Sequence, residues 1–335
     1  MKKLKIAVIL AGAGAKGAYE AGALRALVRE DVQIMRVVAA SSGALNGVLL
    51  ASAIRAGDLE AGTDKIVDLW RSQGWTDVFH PKLRLLCTLR GISDDAKMIA
   101  TLREHVPPQP IGGEINLRLL VAPLGGITST IGDRPATSYE ALCDFSGSDF
   151  ATTEGLEKMF AAATASAAFP LVFGPVDVDG LGPCVDGGAV NNTPIAHALD
   201  GPLGDVVEQI VVISTAVELR TGPPPAPRGF ALASHLGDML IDERLFRDLR
   251  EAESTNASLR QLAALVEGGV IDASQHQQVL RAMGWTSRRV VDVIQIRPLE
   301  ELPGSVFTGL FEPSLRDQYL TAGEQRARDV LSAIR

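Results

Sequence analysis

The sequence is poor in several residue types that would point to particular classes of protein. Its 335 residues include three cysteines and five histidines, and aromatic residues make up 5%. Cys87, Cys143 and Cys184 are odd in number and far apart, so they predict neither a disulfide framework nor a metal site with paired ligands. The cysteine content therefore favours a reducing compartment, and we expect a cytoplasmic protein.

Positive charge and long hydrophobic runs are lacking too. The 32 Lys and Arg residues are outnumbered by 40 Asp and Glu, and the net charge of -8 argues against nucleic acid as a partner. No run approaches the roughly 18 apolar residues that a transmembrane helix needs. The opening stretch MKKLKIAVILAGAGA places lysines before an apolar segment, but that segment is short for a secretory signal and is predicted to be a buried strand.

Hydrophobic residues, 46% of the chain with 33 glycines, are typical of a globular protein with many tight turns. We expect one domain over residues 1–335, a three-layer α/β/α fold with a central, mostly parallel sheet. Helical elaborations are expected at about residues 58–110 and 229–283. Residues 125–135 are predicted to be a turn-rich connection and residues 160–169 (FAAATASAAF) a helix that includes Ser166 in a packing role. Apolar runs predict sheet strands over residues 5–10, 116–124, 209–214 and 290–296.

Residues 36–50 (RVVAASSGALNGVLL) are the most informative stretch. A β-branched run gives way to small residues and then to apolar residues at helical spacing, as in a nucleophile elbow. The tight turn of an elbow exposes one hydroxyl and needs small neighbours. Ser41 is the better candidate of two adjacent serines, because Gly43 then stands two residues beyond it. Choosing Ser42 would place Ala44 there.

Residues 12–17 (GAGAKG) form a glycine loop between the first predicted strand and a helix. Backbone N–H groups at such a turn, beside a helix N-terminus, are suited to hold an anion or a developing oxyanion. The competing interpretation is a dinucleotide site, which needs an acidic residue at the end of the second strand. Glu30 and Asp31 have about the right distance but precede that strand, which disfavours the nucleotide interpretation.

A third motif, Asp186-Gly187-Gly188, follows the apolar end of residues 176–185. Taken alone, an aspartate before two glycines more often caps a turn. We expect all three motifs at the carboxyl ends of sheet strands, and in a parallel sheet such ends meet at one crevice. Their coincidence is more specific than any one of them.

These motifs together resemble those of the patatin-like phospholipases, which are lipid acyl hydrolases. The resemblance covers residues 4–52 and 156–199 and is weaker at residues 319–323. It implies that Ser41 is the nucleophile, that Asp186 is its general base and that Gly43, Gly187 and Gly188 support them. It also implies that backbone N–H groups of the loop form the oxyanion hole, over Gly12, Ala13, Gly14, Ala15, Lys16 and Gly17.

The implied function is a serine lipid acyl hydrolase, an esterase of the phospholipase A or lysophospholipase type, acting on a lipid ester without metal or organic cofactor. Two departures leave alternatives open. Ala39 stands where the serine motif usually begins with glycine, and Ala13 replaces the middle glycine of the loop. Acyl transfer at the same site and an inactive lipid-binding relative are the alternatives, and the oligomeric state is open.

Two further features have competing interpretations. His197 follows the aspartate motif and could complete a histidine-containing triad, although its apolar segment PIAHAL favours an ordinary core or surface histidine. Residues 81–90 (PKLRLLCTLR) could form a basic helix that contacts a membrane surface through Lys82, Arg84 and Arg90. The same helix could equally pack its leucines on the core.

Overall fold

A computed structural model describes residues 3–72, 96–170, 172–201, 206–219, 230–286 and 288–334. The expected basic helix over residues 81–90, with Lys82, Arg84 and Arg90, lies outside the described residues, as does Cys87.

The central sheet of the described residues has the spatial order β10-β9-β1-β2-β3-β8-β7, and β6 also pairs with β3. Pairing is parallel from β10 through β9, β1 and β2 to β3. It is antiparallel where β6 and β8 join β3 and where β7 joins β8. The mostly parallel sheet is therefore confirmed. The strands are β1 (Leu4–Leu10), β2 (Val32–Ala39), β3 (Asn116–Pro123), β4 (Ile127–Ile131), β5 (Arg134–Ser138), β6 (Ala141–Phe145), β7 (Val176–Val178), β8 (Gly182–Asp186), β9 (Gln209–Ile213) and β10 (Asp292–Ile296).

Helices cover both faces of this sheet because β1 is apolar on both faces. Alternate residues of a strand point to opposite faces, and Val8 and Ile9 of β1 belong to different hydrophobic clusters. The Val8 cluster includes side chains of α1, α2 and α10, and the Ile9 cluster includes side chains of α7. The expected three-layer α/β/α arrangement is confirmed. The helices are α1 (Gly17–Leu27), α2 (Ser42–Ala56), α3 (Leu59–Arg71), α4 (Ala96–His105), α5 (Thr153–Ser166), α6 (Gly188–Asn191), α7 (Phe230–Glu267), α8 (Ala273–Ala282), α9 (Thr308–Phe311) and α10 (Pro313–Ala333).

Two segments differ from the sequence prediction. The expected turn-rich connection over residues 125–135 is instead mostly an antiparallel hairpin of β4 and β5. Most residues of both strands are exposed and few of them are apolar, so no hydrophobic alternation marked the segment as strands. The helix predicted at residues 160–169 runs over Thr153–Ser166, because the Thr152 hydroxyl caps it by accepting from the Gly155 N–H at 3.1 Å.

The direction of β8 is the correction that matters most for function. The three motifs were expected at the carboxyl ends of parallel strands, but β8, which ends at Asp186, runs antiparallel to β3. Val121 of β3 pairs with both Ala141 and Asp186, so these two partners lie on opposite edges of β3. β8 therefore occupies the edge that β2 leaves after Ala39, which pairs with Leu119.

Candidate active site

The elbow after β2 has the strained backbone that a nucleophile turn requires. Ser41 has φ 54° and ψ -138°, and it is the one residue other than glycine with positive φ among the described residues. A side chain held there typically costs about 1–3 kcal/mol and persists where surrounding contacts enforce it. Ser41 is half-buried and stands between the end of β2 and the first turn of α2.

Close backbone packing enforces the turn. A Cβ on Gly43 would lie 2.5 Å from the Leu10 carbonyl oxygen, and one on Gly12 would lie 2.5 Å from the Ala40 carbonyl oxygen. Both distances are shorter than any real contact of a Cβ atom. The glycine loop and the elbow therefore lie backbone against backbone, which explains why the position two residues beyond Ser41 is a glycine.

Asp186 is the hydrogen-bond partner of Ser41. The Ser41 Oγ donates to Asp186 Oδ2 at 2.8 Å, and the other carboxylate oxygen, Oδ1, accepts from the Gly188 N–H at 2.8 Å. The Asp186 backbone N–H donates to the Ala168 carbonyl at 3.1 Å. Gly187 and Gly188, both buried, begin the short turn of α6 that delivers the Gly188 N–H to the carboxylate.

Burial governs the acidity of Asp186. The residue is 2% exposed, and loss of solvation raises the pKa of its carboxyl to about 7, although the hydrogen bonds from Ser41 and Gly188 act in the opposite direction. A carboxylate with a pKa near neutrality can take up and release a proton at physiological pH.

Ser166, which the sequence interpretation assigned to helix packing, contacts Ser41 directly. Its Oγ accepts from the Ser41 backbone N–H at 3.0 Å and donates to the Leu120 carbonyl at 2.6 Å. It is fully buried at the end of α5. The side chain thereby ties the strained peptide of Ser41 to β3. A serine among alanines in FAAATASAAF was the signal available in the sequence.

The glycine loop, whose six N–H groups were the predicted oxyanion hole, makes many internal hydrogen bonds. The Gly14 N–H has no hydrogen-bond acceptor among the residues that the structure describes. The other five donate within the protein: Gly12 to Glu20 Oε1, Ala13 to Ser42 Oγ, Ala15 to the Val306 carbonyl, Lys16 to the Ala13 carbonyl and Gly17 to the Gly14 carbonyl.

Neither of the two alanines that replace the usual motif glycines has a positive φ. Ala13 has φ -167°, far from the left-handed region that favours glycine. Ala39 is fully buried at the end of β2 and pairs in register with Leu10 and Leu119. Lys16 is half-exposed at the N-terminus of α1.

His197 lies in a different hydrogen-bonded cluster. Its Nδ1 bonds Asp200 Oδ2 and its Nε2 bonds Glu140 Oε1, each at 2.9 Å. Burial lowers the pKa of His197, but the hydrogen bonds and charges of these two carboxylates together outweigh it and raise the pKa to about 9. Both ring nitrogens are engaged away from Ser41, so the geometry does not place His197 in a triad with it.

An aromatic pair lies next to the site. Phe169 follows Ala168, which bonds Asp186, and Phe307 follows Val306, which bonds the glycine loop. The two rings meet edge to face with centroids 5.2 Å apart, and Phe169 is 40% exposed. The neighbourhood of Ser41 and Asp186 therefore carries an exposed apolar surface.

Two kinds of feature are absent from the described residues. No group of three or more His, Cys, Asp or Glu side chains there is arranged to hold a metal ion. No helix in the described ranges is both long and apolar enough to cross a bilayer.

Three solved structures resemble the chain only distantly. VipD from Legionella pneumophila is 12% identical, with 99% of this chain and 67% of that chain covered and a TM-score of 0.41. The type III effector protein ExoU is 12% identical (98% and 53% covered, TM-score 0.31). ExoU in its heterodimeric complex with SpcU from Pseudomonas aeruginosa is 17% identical (84% and 60% covered, TM-score 0.29). The chain thus spans between half and two thirds of the length of these proteins. No curated protein sequence matches it.

These structural likenesses are too distant to assign the chain to a family, but a family match in its sequence does so. The family described as patatin-like phospholipase matches residues 8–199, which is more than half of the chain. The matched range includes the glycine loop, the elbow at Ser41 and the aspartate motif. The chain therefore belongs to the patatin-like phospholipase family.

Proposed function

We propose that the chain hydrolyses lipid esters with Ser41 as nucleophile and Asp186 as general base. The observation that carries this proposal is the 2.8 Å hydrogen bond from Ser41 Oγ to the buried Asp186 carboxylate. A serine hydroxyl is a weak nucleophile until a base within hydrogen-bond reach accepts its proton. Family membership supports lipid hydrolysis as the general activity.

The proposed reaction has two steps, acylation of Ser41 and hydrolysis of the acyl-serine. The Ser41 Oγ attacks the ester carbonyl carbon while its proton passes to Asp186, and the departing alcohol takes that proton as the C–O bond breaks. Water then gives a proton to Asp186 and attacks the acyl-serine, and the proton returns to Ser41 Oγ as the fatty acid leaves. The same carboxylate serves both steps because its pKa lies near 7.

The proposed oxyanion hole is at the glycine loop, with the Gly14 N–H as its principal donor. This N–H is the loop donor without an acceptor among the described residues, so it can bond a substrate oxygen at no cost to the loop. Losing one such donor typically costs about 3 kcal/mol of transition-state stabilisation.

The substrate we propose is a phospholipid or lysophospholipid, reached at a membrane surface. Exposed Phe169 beside the site supports contact with acyl chains. The test is fatty-acid release from phosphatidylcholine vesicles and from lysophosphatidylcholine, with Ser41→Ala as control. Release that disappears in the variant supports the proposal, and equal release by both proteins would reject it. Acyl transfer would instead yield a new ester when a long-chain alcohol is added.

A further inference from the structure

Glu20 is a buried carboxylate under the glycine loop for which the reaction just described has no use. It lies on α1, is 0% exposed, and its Oε1 accepts from the Gly12 N–H at 2.6 Å. Its Oε2 accepts from Asn46 Nδ2 at 3.1 Å. Asn46 is fixed in turn, because its Oδ1 accepts from Trp70 Nε1 at 2.9 Å.

The other side of the same glycine is held as well. Asn192, 4% exposed and six residues beyond Asp186, donates from Nδ2 to the Gly12 carbonyl at 3.1 Å. Gly12 is the residue whose Cα lies against the elbow backbone, with φ 60° and no room for a Cβ. Its N–H and its C=O are therefore fixed by side chains from two different parts of the chain.

A purely structural role explains the Glu20 carboxylate poorly. The largest influences on its pKa are burial, which raises it to about 8, and hydrogen bonds from Gly12, Asn46 and Ala11. None of these influences is a cation. Placing a carboxylate in such a site disfavours folding, and groups of this kind concentrate where function needs them.

We propose that Glu20 and Asn192 are positioning residues that clamp Gly12 from opposite sides and thereby aim the glycine loop at the acyl oxygen on Ser41. This inference rests on the proposed function, since the aimed donors act on its transition state. Oxyanion donors stabilise a transition state only when they are held at the right place before charge develops. Loosening Gly12 should therefore lower kcat more than it changes KM.

Glu20→Gln tests the first half of the clamp. At pH 9, above its pKa of about 8, Glu20 is a carboxylate that accepts from both Gly12 and Asn46, so an amide in its place directs its own NH2 donor at one of these two donors. We expect kcat for lipid-ester hydrolysis to fall about 10- to 100-fold, with KM within about twofold. Backbone amides of residues 11–17 should exchange with deuterium about 10-fold faster or more.

Asn192→Ala removes the hydrogen bond to the Gly12 carbonyl, which is the second half of the clamp. It also tests the proposal if Glu20→Gln does not fold. The same fall in kcat and the same faster exchange over residues 11–17 are expected. Glu324→Gln is the matched control, because Glu324 is a glutamate on α10, 9% exposed, whose carboxylate bonds Arg25, Arg29 and Arg328 rather than the glycine loop. This control should lose thermal stability while its kcat and its loop exchange stay within about twofold of the parent.

Folded Glu20→Gln or Asn192→Ala protein with kcat within twofold of the parent would overturn the proposal, whatever its exchange rate. A kcat loss equal to that of Glu324→Gln would also overturn it. Parent protein as inactive as Ser41→Ala would reject the proposed function instead. In that case deuterium exchange over residues 11–17 is the remaining test of whether Glu20 and Asn192 hold Gly12. Exchange that is unchanged in Glu20→Gln and Asn192→Ala would reject the clamp.

Discussion

Ser41 and Asp186 lie side by side at the point where β8 replaces β2 along one edge of β3. β2 pairs with β3 as far as Leu119, and β8 arrives from the opposite direction to pair Asp186 with Val121. The chain leaves the sheet at Ser41, two residues beyond Ala39, and the Ser41 Oγ lies 2.8 Å from Asp186 Oδ2. The antiparallel direction of β8 thus places the Asp186 carboxyl group beside Ser41.

The activity should depend on pH through Asp186. In the proposed reaction Asp186 acts in its ionised form, and burial raises its pKa to about 7. We expect kcat/KM to rise with pH, to level off near pH 8 and to fall about tenfold per unit below pH 6. Fatty-acid release measured from pH 5 to pH 9 checks this. A rate that is flat over that range would show that Asp186 is not the titrating base.

The same ionisation should make Asp186→Asn more stable than the parent at alkaline pH. A carboxyl whose pKa is raised in the folded state destabilises the fold as pH climbs from its ordinary pKa of about 4 to the folded value near 7, and the full penalty persists above that. Asparagine removes the penalty. We expect the variant to melt about 2–4 °C or more above the parent at pH 8 and to lose this advantage near pH 4.

Thermal melts at both pH values, followed by circular dichroism, provide the measurement. The variant should also be inactive at every pH. Equal melting temperatures at pH 8, or a larger advantage at pH 4 than at pH 8, would contradict the assignment of Asp186 as a buried carboxylate with a raised pKa.

Ser166→Ala should slow turnover, because the Ser41 N–H then loses its acceptor in a buried place. An unsatisfied buried donor costs about 1–3 kcal/mol, and the strained turn would relax. We expect kcat to fall about 5- to 50-fold. Ser52→Ala, a buried serine on α2 that bonds Gln109, is the control and should keep near-normal kcat. Equal effects of the two substitutions would argue against a role of Ser166 at Ser41.

Gly43→Ala should damage both fold and activity. Its Cβ would stand 2.5 Å from the Leu10 carbonyl, which is backbone and cannot move aside cheaply. Overpacking of this kind costs about 1–3 kcal/mol or more. Gly125→Ala provides the comparison, since nothing lies within 4 Å of the Cβ added there. Denaturant unfolding of the two variants measures the difference, and a Gly43→Ala protein as stable as Gly125→Ala would contradict the packing described.

The local parts of the site were predictable from sequence, and the parts made by distant contacts were not. A strand, a serine between small residues and a helix stand together in residues 36–50, so the elbow is visible in the order of residues. Ser166 lies 125 positions from Ser41, and Asn192 lies 180 positions from Gly12. The serine in FAAATASAAF stands out among alanines, but neither it nor the sequence around Asn192 indicates which distant residue it contacts after folding.

The direction of β8 is a second feature that could not be predicted from the sequence. The apolar end of β8 predicts a strand before Asp186, but side-chain alternation does not encode whether its neighbour runs parallel or antiparallel. Glu20 illustrates another limit, because a glutamate on a helix ordinarily faces water. Inside the fold, the Glu20 carboxyl oxygens accept from the Gly12 N–H and the Asn46 side chain. The helix pattern of residues 17–27 reveals neither contact.

Labelling by a fluorophosphonate probe, read out by intact mass, tests the central claim most directly. An activated serine displaces fluoride and gains one phosphonyl group. We predict a single adduct on the peptide that contains Ser41, absent in Ser41→Ala, strongly slowed in Asp186→Asn and unchanged in Ser52→Ala. An adduct that persists in Ser41→Ala, or one that forms at the parental rate in folded Asp186→Asn, would contradict a nucleophile at Ser41 activated by Asp186.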